Sequence, residues 1–390
     1  MKDMYKSIMP IAARPDLVMV RGQGAWLWDA EGRRYLDFVQ GWAVNCLGHA
    51  APEVVEALNR QSSLLINPSP GFYNQAMIEL ADSLVRLSGL DEVFLANSGA
   101  EANEGAIKLA RKWGQLNKNS AYKIITMENG FHGRTLATMS ASGKPQWQQL
   151  YEPKVPGFIK VPFNDIDAVR EAIDAQTVAV MLEPVQGEAG VIPANIEYLQ
   201  QLRELTRTAG LLLILDEVQT GVGRLGELFA YQHYGVVPDI LTLGKGLGGG
   251  VPLAALLSSK RVSCFEPGDQ GGTYNGNPLM AAVGSAVLQT VAEPRFLAGV
   301  RTRGEYLHHG LNAISQKYHQ GAIRGMGLLL AMPLSRPFAH QMVDCARAKG
   351  LLLNAPRPDI LRFMPALNVD QNDIDHMMAI LDSCFEECLA

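Results

Sequence analysis

Short apolar runs recur through the middle of the chain, each ending abruptly in polar or glycine-rich residues. Residues 93–96, 124–127, 178–182, 211–215 and 239–243 are largely hydrophobic. Their length and bulk are those of strands buried on both faces, as in a parallel sheet. Between them the period changes to that of helices. Residues 73–87 put Met77, Leu80, Ala81, Leu84 and Leu87 on one face, and further helical runs are predicted at 52–65, from Ala100 to about 113, and at 198–210. The alternation of strand and helix from 93 to 257 predicts an α/β fold with a mostly parallel, doubly wound sheet.

The flanks read differently. Over 25–39, apolar and polar residues alternate about Glu31-Gly32, a β-hairpin signature. The cluster Asn67-Pro68-Ser69-Pro70-Gly71 predicts an extended loop. A helical run at 279–291 leads into a C-terminal region with a glycine-opened strand at 325–330, an apolar run at 360–365 and a closing helix at 371–388. The expected organisation is an N-terminal segment with a hairpin (1–50), a large domain (51–284) and a smaller α+β C-terminal domain (285–390).

A chain of 390 residues exceeds the usual size of one core, which agrees with two domains. With 34 basic and 39 acidic residues the net charge is −5, so electrostatics supplies no reason to expect nucleic acid or an anionic membrane as a partner. The five cysteines, Cys46, Cys264, Cys345, Cys384 and Cys388, form no CxxC pair and no metal-ligand spacing with histidine, so no metal is expected and the thiols fit a reducing compartment. Residues Met1 to Lys6 are not followed by the apolar core of a signal peptide, and no apolar stretch approaches the ~20 residues of a membrane span. A cytoplasmic protein with small-molecule ligands is the expectation.

Two of the predicted strands end in opposite charges, Asp216 and, after Gly244, Lys245 in a glycine-rich stretch. Ligand crevices of open α/β sheets lie at the carboxyl ends of strands. The pair reads either as a structural ion pair or as a pyridoxal phosphate site, with a lysine that attaches the cofactor and an aspartate on its ring nitrogen. The turn at Asn97-Ser98-Gly99-Ala100 opens a helix, and serves either as a plain Ser98-capped turn or as an anion cradle. Phe131-His132-Gly133-Arg134 offers a ring for stacking and a guanidinium for a carboxylate, while His132 alone reads as an orienting or solvated group. Gly221-Val222-Gly223-Arg224-Leu225-Gly226 matches a dinucleotide fingerprint in letters only. Asp216 to Thr220 separate its first glycine from the strand end, where the tight turn is needed.

In combination these motifs resemble the class III aminotransferases, fold type I enzymes that use pyridoxal 5'-phosphate, and most resemble their acetylornithine, succinylornithine and ornithine group. The resemblance runs from Trp26 to Arg362 and rests on Asn97 to Asn103, Asp216 to Gly221, Lys245 and Gly272-Thr273-Tyr274. It implies Lys245 as the Schiff-base lysine and proton shuttle, Asp216 on the pyridinium nitrogen, Gln219 on the ring hydroxyl, and Phe131 and Val218 against the ring faces. Ser98, Gly99, Ala100 and a partner chain's Thr273 would hold the phosphate, so a homodimer with shared sites is implied. Arg134 would take the donor carboxylate. Arg362 would pair with Glu188 while an ω-amino donor is bound, and be released to accept glutamate or 2-oxoglutarate. Trp42 lies where relatives vary and would shape the pocket. The implied reaction moves the terminal amino group of N-acetylornithine, or a similar acylated ω-amino acid, to 2-oxoglutarate, as in arginine biosynthesis. Succinylornithine, ornithine and GABA are the alternative donors, and a non-catalytic cofactor-binding regulator is the alternative of another class.

Overall fold

Seven strands make the central sheet of the computed structural model, which describes residues 7–389. Across the sheet they run Glu92–Ala96, Ala254–Ser258, Ile240–Leu243, Leu212–Asp216, Thr177–Leu182, Lys123–Met127 and Phe158–Val161. Only Ala254–Ser258 is antiparallel to its neighbours. Every residue of Thr177–Leu182, Leu212–Asp216 and Ile240–Leu243 is buried, because helices cover both faces. Each such aliphatic side chain contributes roughly 1.5–3 kcal/mol through its removal from water. The doubly wound α/β expectation therefore holds. The Phe158–Val161 strand was not expected from the sequence: it lies at the sheet edge, and its exposed Lys160 breaks the apolar run.

The hairpin pairs Trp26–Asp29 with Arg34–Asp37 as predicted. Asp29 fixes its turn, accepting the N–H groups of Glu31 at 3.0 Å and Arg33 at 2.9 Å. Met19–Gln23 joins on one side, and Leu351–Leu352 pairs in parallel with Arg34–Asp37 on the other, so the first strands share a sheet with the C-terminal part of the chain.

Two expectations change in the C-terminal region. The run at 325–330 is not one strand but a hairpin of Arg324–Met326 and Leu329–Pro333. Gly327 makes the reversal with φ of 55°, and a Cβ there would lie 2.5 Å from the backbone of Leu225. The 24-residue helix Pro294–Lys317 was not anticipated, although Val300, Gly304, Leu307, Leu311 and Ile314 repeat at helical spacing and are its buried face.

The glycines at 221–226 have a packing role. Their Arg224 is buried and donates from Nη1 to the carbonyls of Leu328 at 3.0 Å and Pro365 at 2.6 Å, tying this turn to the C-terminal region. All five cysteines are free thiols. Among the described residues, no helix is long and apolar enough to cross a membrane. The reading of Met1 to Lys6 lies outside the described residues.

Helix Gly99–Asn117 presses Ala102, Ala106, Ala110 and Trp113 into the core, and it is close enough to the sheet that position 114 has no room for a side chain. A Cβ on Gly114 would sit 2.0 Å from the Ala121 carbonyl oxygen and 2.7 Å from Val178. Gly→Ala inside an exposed helix normally stabilises by about 1 kcal/mol. Here the sign should reverse: Gly114→Ala should cost about 1–3 kcal/mol through overpacking. A lower thermal unfolding midpoint is the expected result, and an unchanged or raised midpoint contradicts this packing.

Candidate active site

The parallel register of Leu212–Asp216 and Ile240–Leu243 sets Asp216 opposite Thr242, so Lys245 emerges beside Asp216 at the carboxyl edge of the sheet. Asp216 turns to other partners than Lys245. Its Oδ2 accepts from Asn103 Nδ2 at 2.7 Å and lies 2.8 Å from His132 Nδ1, while its Oδ1 accepts the Val218 N–H at 3.0 Å. Asn103 is held in turn by Thr242, whose hydroxyl donates to Asn103 Oδ1 at 2.7 Å, and it also donates to the His132 carbonyl at 2.8 Å. Burial opposes charge on His132, but its bond to Asp216 and the nearby charges of Asp216 and Glu183 outweigh that and raise its pKa. His132 is thus an orienting group under Asp216. Asn103 closes the Asn97–Asn103 motif, but the sequence reading gives it no role of its own, although its polar side chain interrupts an inner face of alanines.

Adjacent residues of an extended strand point to opposite sides, and the acidic pair divides accordingly. Glu217 faces away from Lys245 and accepts the N–H groups of Ala230 at 2.6 Å and Tyr231 at 2.8 Å, and burial pushes its pKa up to about 8. Glu183, at the end of Thr177–Leu182, accepts the Phe131 N–H at 2.9 Å. Burial lifts its pKa to about 7, against the pull of His132 and with the push of Asp216.

Lys245 follows Gly244 and has φ of 43°, a left-handed conformation in the glycine-rich stretch. Burial lowers its pKa to about 8, with Glu188 opposing the shift and Arg362 adding to it. Around it the packing leaves narrow gaps. Val218 fills the space above Gly99 and Gly244: a Cβ on Gly99 would lie 2.6 Å from Val218 Cγ1, and one on Gly244 would lie 3.2 Å from it. A Cβ on Gly187 would lie 1.6 Å from Gln219 Oε1. Gln219 Nε2 is buried without a hydrogen-bond partner among the described residues. At the Ser98 turn the hydroxyl caps the helix, accepting the Glu101 N–H at 3.2 Å, and Ser98 itself stays exposed at the helix N-terminus. Thr273 and Tyr274 are exposed, and their segment is anchored where Asn97 Nδ2 donates to Asn275 Oδ1 at 2.7 Å. Trp42 is 55% exposed within four consecutive residues of positive φ, Gln40 to Ala43.

On the other side of Lys245, Arg362 is almost fully buried. Its Nη2 donates to Glu188 Oε1 at 2.8 Å, its Nε to Asn354 Oδ1 at 2.9 Å, and its Nη1 lies 3.5 Å from Gln219 Oε1. Glu188 also meets Lys144, with Nζ 3.1 Å from Oε2. Burial disfavours the Glu188 charge, yet Arg362 and Lys144 override it and hold the pKa down at about 2. Lys144 was not anticipated, because sequence distance hides its approach. Arg134 is exposed, with its guanidinium 5.6 Å from the centre of the Trp147 ring.

Comparisons with known proteins find relatives over nearly the whole chain. The family model described as aminotransferase class-III matches residues 9–385. Acetylornithine aminotransferase 2 of Bordetella pertussis is 62% identical over 379 residues, 96% of each chain, and the acetylornithine aminotransferase of Ralstonia nicotianae is 58% identical over 383 residues, again 96% of each. Among solved structures, the ornithine aminotransferase of Toxoplasma gondii superposes with a TM-score of 0.93 at 32% identity, over 98% of this chain and 93% of that one. The N-acetylornithine aminotransferase of Stenotrophomonas maltophilia gives 0.86 at 36% identity, over 100% and 99%. A second Toxoplasma structure describes partial occupancy of PLP at its active site. The residues here fit that group: an amine beside a carboxylate, a buried Gln219 Nε2 without a partner among the described residues, and Val218 packed directly on Gly99 at the helix N-terminus.

The Lys245 amine should titrate near pH 8 in the cofactor-free chain, because its folded pKa is lowered and the unreactive ammonium persists only below that value. Reductive methylation of Lys245, followed by peptide mass mapping across a pH series, should reach half its plateau rate there. A midpoint at the ordinary lysine value contradicts the burial argument.

Proposed function

The chain belongs to the class III aminotransferases, and on that premise we propose that it moves the terminal amino group of N-acetylornithine, or a closely similar acylated ω-amino acid, to 2-oxoglutarate, leaving a semialdehyde and glutamate. As a member of that family it is an aminotransferase that uses pyridoxal 5'-phosphate. The nearly full-length likeness to relatives bearing the acetylornithine name carries the choice of donor.

When bound, the cofactor supplies an electron-withdrawing pyridinium ring that makes a proton on the amine-bearing carbon acidic. The residues of this chain would provide the rest. Lys245 would hold the cofactor covalently and then move that proton, a task suited to an amine whose pKa is about 8. Asp216 would face the ring nitrogen, oriented by Asn103 and His132. Gln219 has a free donor for the ring hydroxyl, and Phe131 and Val218 would pack on the ring faces. Ser98, Gly99 and Ala100, at a helix N-terminus, would bind the phosphate together with Thr273 of the partner subunit. The exposure of Phe72, Tyr73 and Tyr274 supports a homodimer on that side.

Arg134 would take the donor's carboxylate, with Trp42 narrowing the entrance. Arg362, paired with Glu188 while the monocarboxylate donor is bound, would be released to take a carboxylate of the dicarboxylate acceptor. We assign 51–284 to the cofactor-binding domain and 285–390 to the smaller one, with 1–50 as an N-terminal segment. The free thiols suit a reducing cytoplasm.

A donor panel tests the reading: acetylornithine, succinylornithine, ornithine and GABA, each with 2-oxoglutarate. Acetylornithine is expected to give the highest kcat/KM, and a clear preference for GABA contradicts the assignment.

A further inference from the structure

Glu188 stands between two cations. One oxygen takes Arg362 at 2.8 Å and the other takes Lys144 at 3.1 Å. The two cations come from separate parts of the fold, Arg362 from strand Ile360–Phe363 and Lys144 from the segment after helix Leu136–Ala141. They are also held independently of Glu188. Arg362 keeps Asn354 and Gln219 as neutral partners. The Lys144 ammonium is seated 4.7 Å from the centre of the Phe131 ring and 5.3 Å from that of Trp147, within cation–π range of both. Glu188, the most exposed member of the triad with 26% of its side chain accessible, is the one free to shift.

If Arg362 is to receive a substrate carboxylate, its bond to Glu188 has to break. A partly buried carboxylate that loses its only cation is strongly disfavoured. With Lys144 already on its second oxygen, Glu188 can turn from Arg362 and remain paired. We propose that Lys144 is the counter-ion that retains Glu188 when Arg362 is surrendered to a dicarboxylate, and so sets the balance between the donor and acceptor half-reactions. This rests on the reading of Arg362 as a carboxylate receptor. Lys144 is a positioning residue, acting on substrate choice through Glu188.

The test uses the holoenzyme as wild type, Lys144→Gln, Lys144→Arg, Glu188→Gln and the double variant Lys144→Gln/Glu188→Gln. Stopped-flow kinetics would give each half-reaction separately, and calorimetry would give the Kd of glutarate, an unreactive dicarboxylate. Lys144→Gln should lower acceptor kcat/KM and glutarate affinity by about tenfold, an ordinary size for coupling between two sites. The donor half-reaction should stay within about twofold. Lys144→Arg should restore both quantities, and Lys144→Gln should have no further effect when Glu188 is already Gln. Equal loss in both half-reactions, no loss in either, or an effect that persists without Glu188 overturns the proposal. The underlying reading is judged separately. A Glu188→Gln variant with wild-type glutarate affinity and donor-to-acceptor balance overturns both, whereas one that shifts the balance beside a silent Lys144→Gln overturns the Lys144 role alone.

Discussion

Asp216 is 3% exposed at the carboxyl end of a fully buried strand, and it accepts from Asn103, Val218 and an imidazole whose pKa it raises. A desolvated carboxylate without such partners would be expelled or neutralised. Meeting that demand draws four parts of the fold together: the helix bearing Asn103, the loop bearing His132, the turn bearing Val218, and the strand of Thr242, which locks Asn103 from behind. Lys245 follows Thr242 by three residues, so the network that steadies the carboxylate also fixes the backbone from which the amine projects. Val218 carries the order further, since it bonds to Asp216 and fills the gap above Gly99 at the helix N-terminus. The proposed ring-nitrogen, covalent and phosphate contacts thus share one support.

A second electrostatic arrangement lies on the substrate side. Arg362, Lys144 and Lys245 approach one another around Glu188, and the cost of bringing these cations together is reduced by this carboxylate, whose pKa they hold near 2. Such a cluster attracts anions. Under the proposed roles it would also discriminate among them, because a ligand with one carboxylate would leave the Glu188 pair intact, while a ligand with two would compete for Arg362. The ability of one site to serve two unlike substrates would then reside in which cation Glu188 keeps.

Much of the scaffold was legible because strands buried on both faces must be continuously apolar, as 178–182 and 211–215 are. Lys245 and Asp216 stood out because charges end those runs. What escaped the sequence depends on contacts between distant segments. Asn103 was one polar residue in a small-residue helix, and its spacing from Ala106 and Ala110 was the available clue that it faces inward. His132 looked like a loop group until Asp216 was placed 84 positions away in sequence. The acidic pair looked like one feature, but strand geometry sends Glu217 to cap the Ala230 turn. Lys144 carried no signal of its own, since a lysine in a glycine- and proline-containing loop is ordinarily a solvated charge. The helix at Pro294–Lys317, by contrast, carries its period in the sequence, at Val300, Gly304, Leu307, Leu311 and Ile314.

The central claim is that the buried Asn103–His132–Asp216 network holds the Asp216 carboxylate where it would face the ring nitrogen of the cofactor. Nitrogen-15 NMR of the holoenzyme carrying ring-labelled pyridoxal phosphate tests it most directly. The account predicts the chemical shift of a protonated pyridinium across the neutral pH range in the wild type, moving toward the neutral pyridine value when Asp216 is replaced by Asn. A neutral ring nitrogen in the wild type, or a shift indifferent to Asp216→Asn, would contradict it.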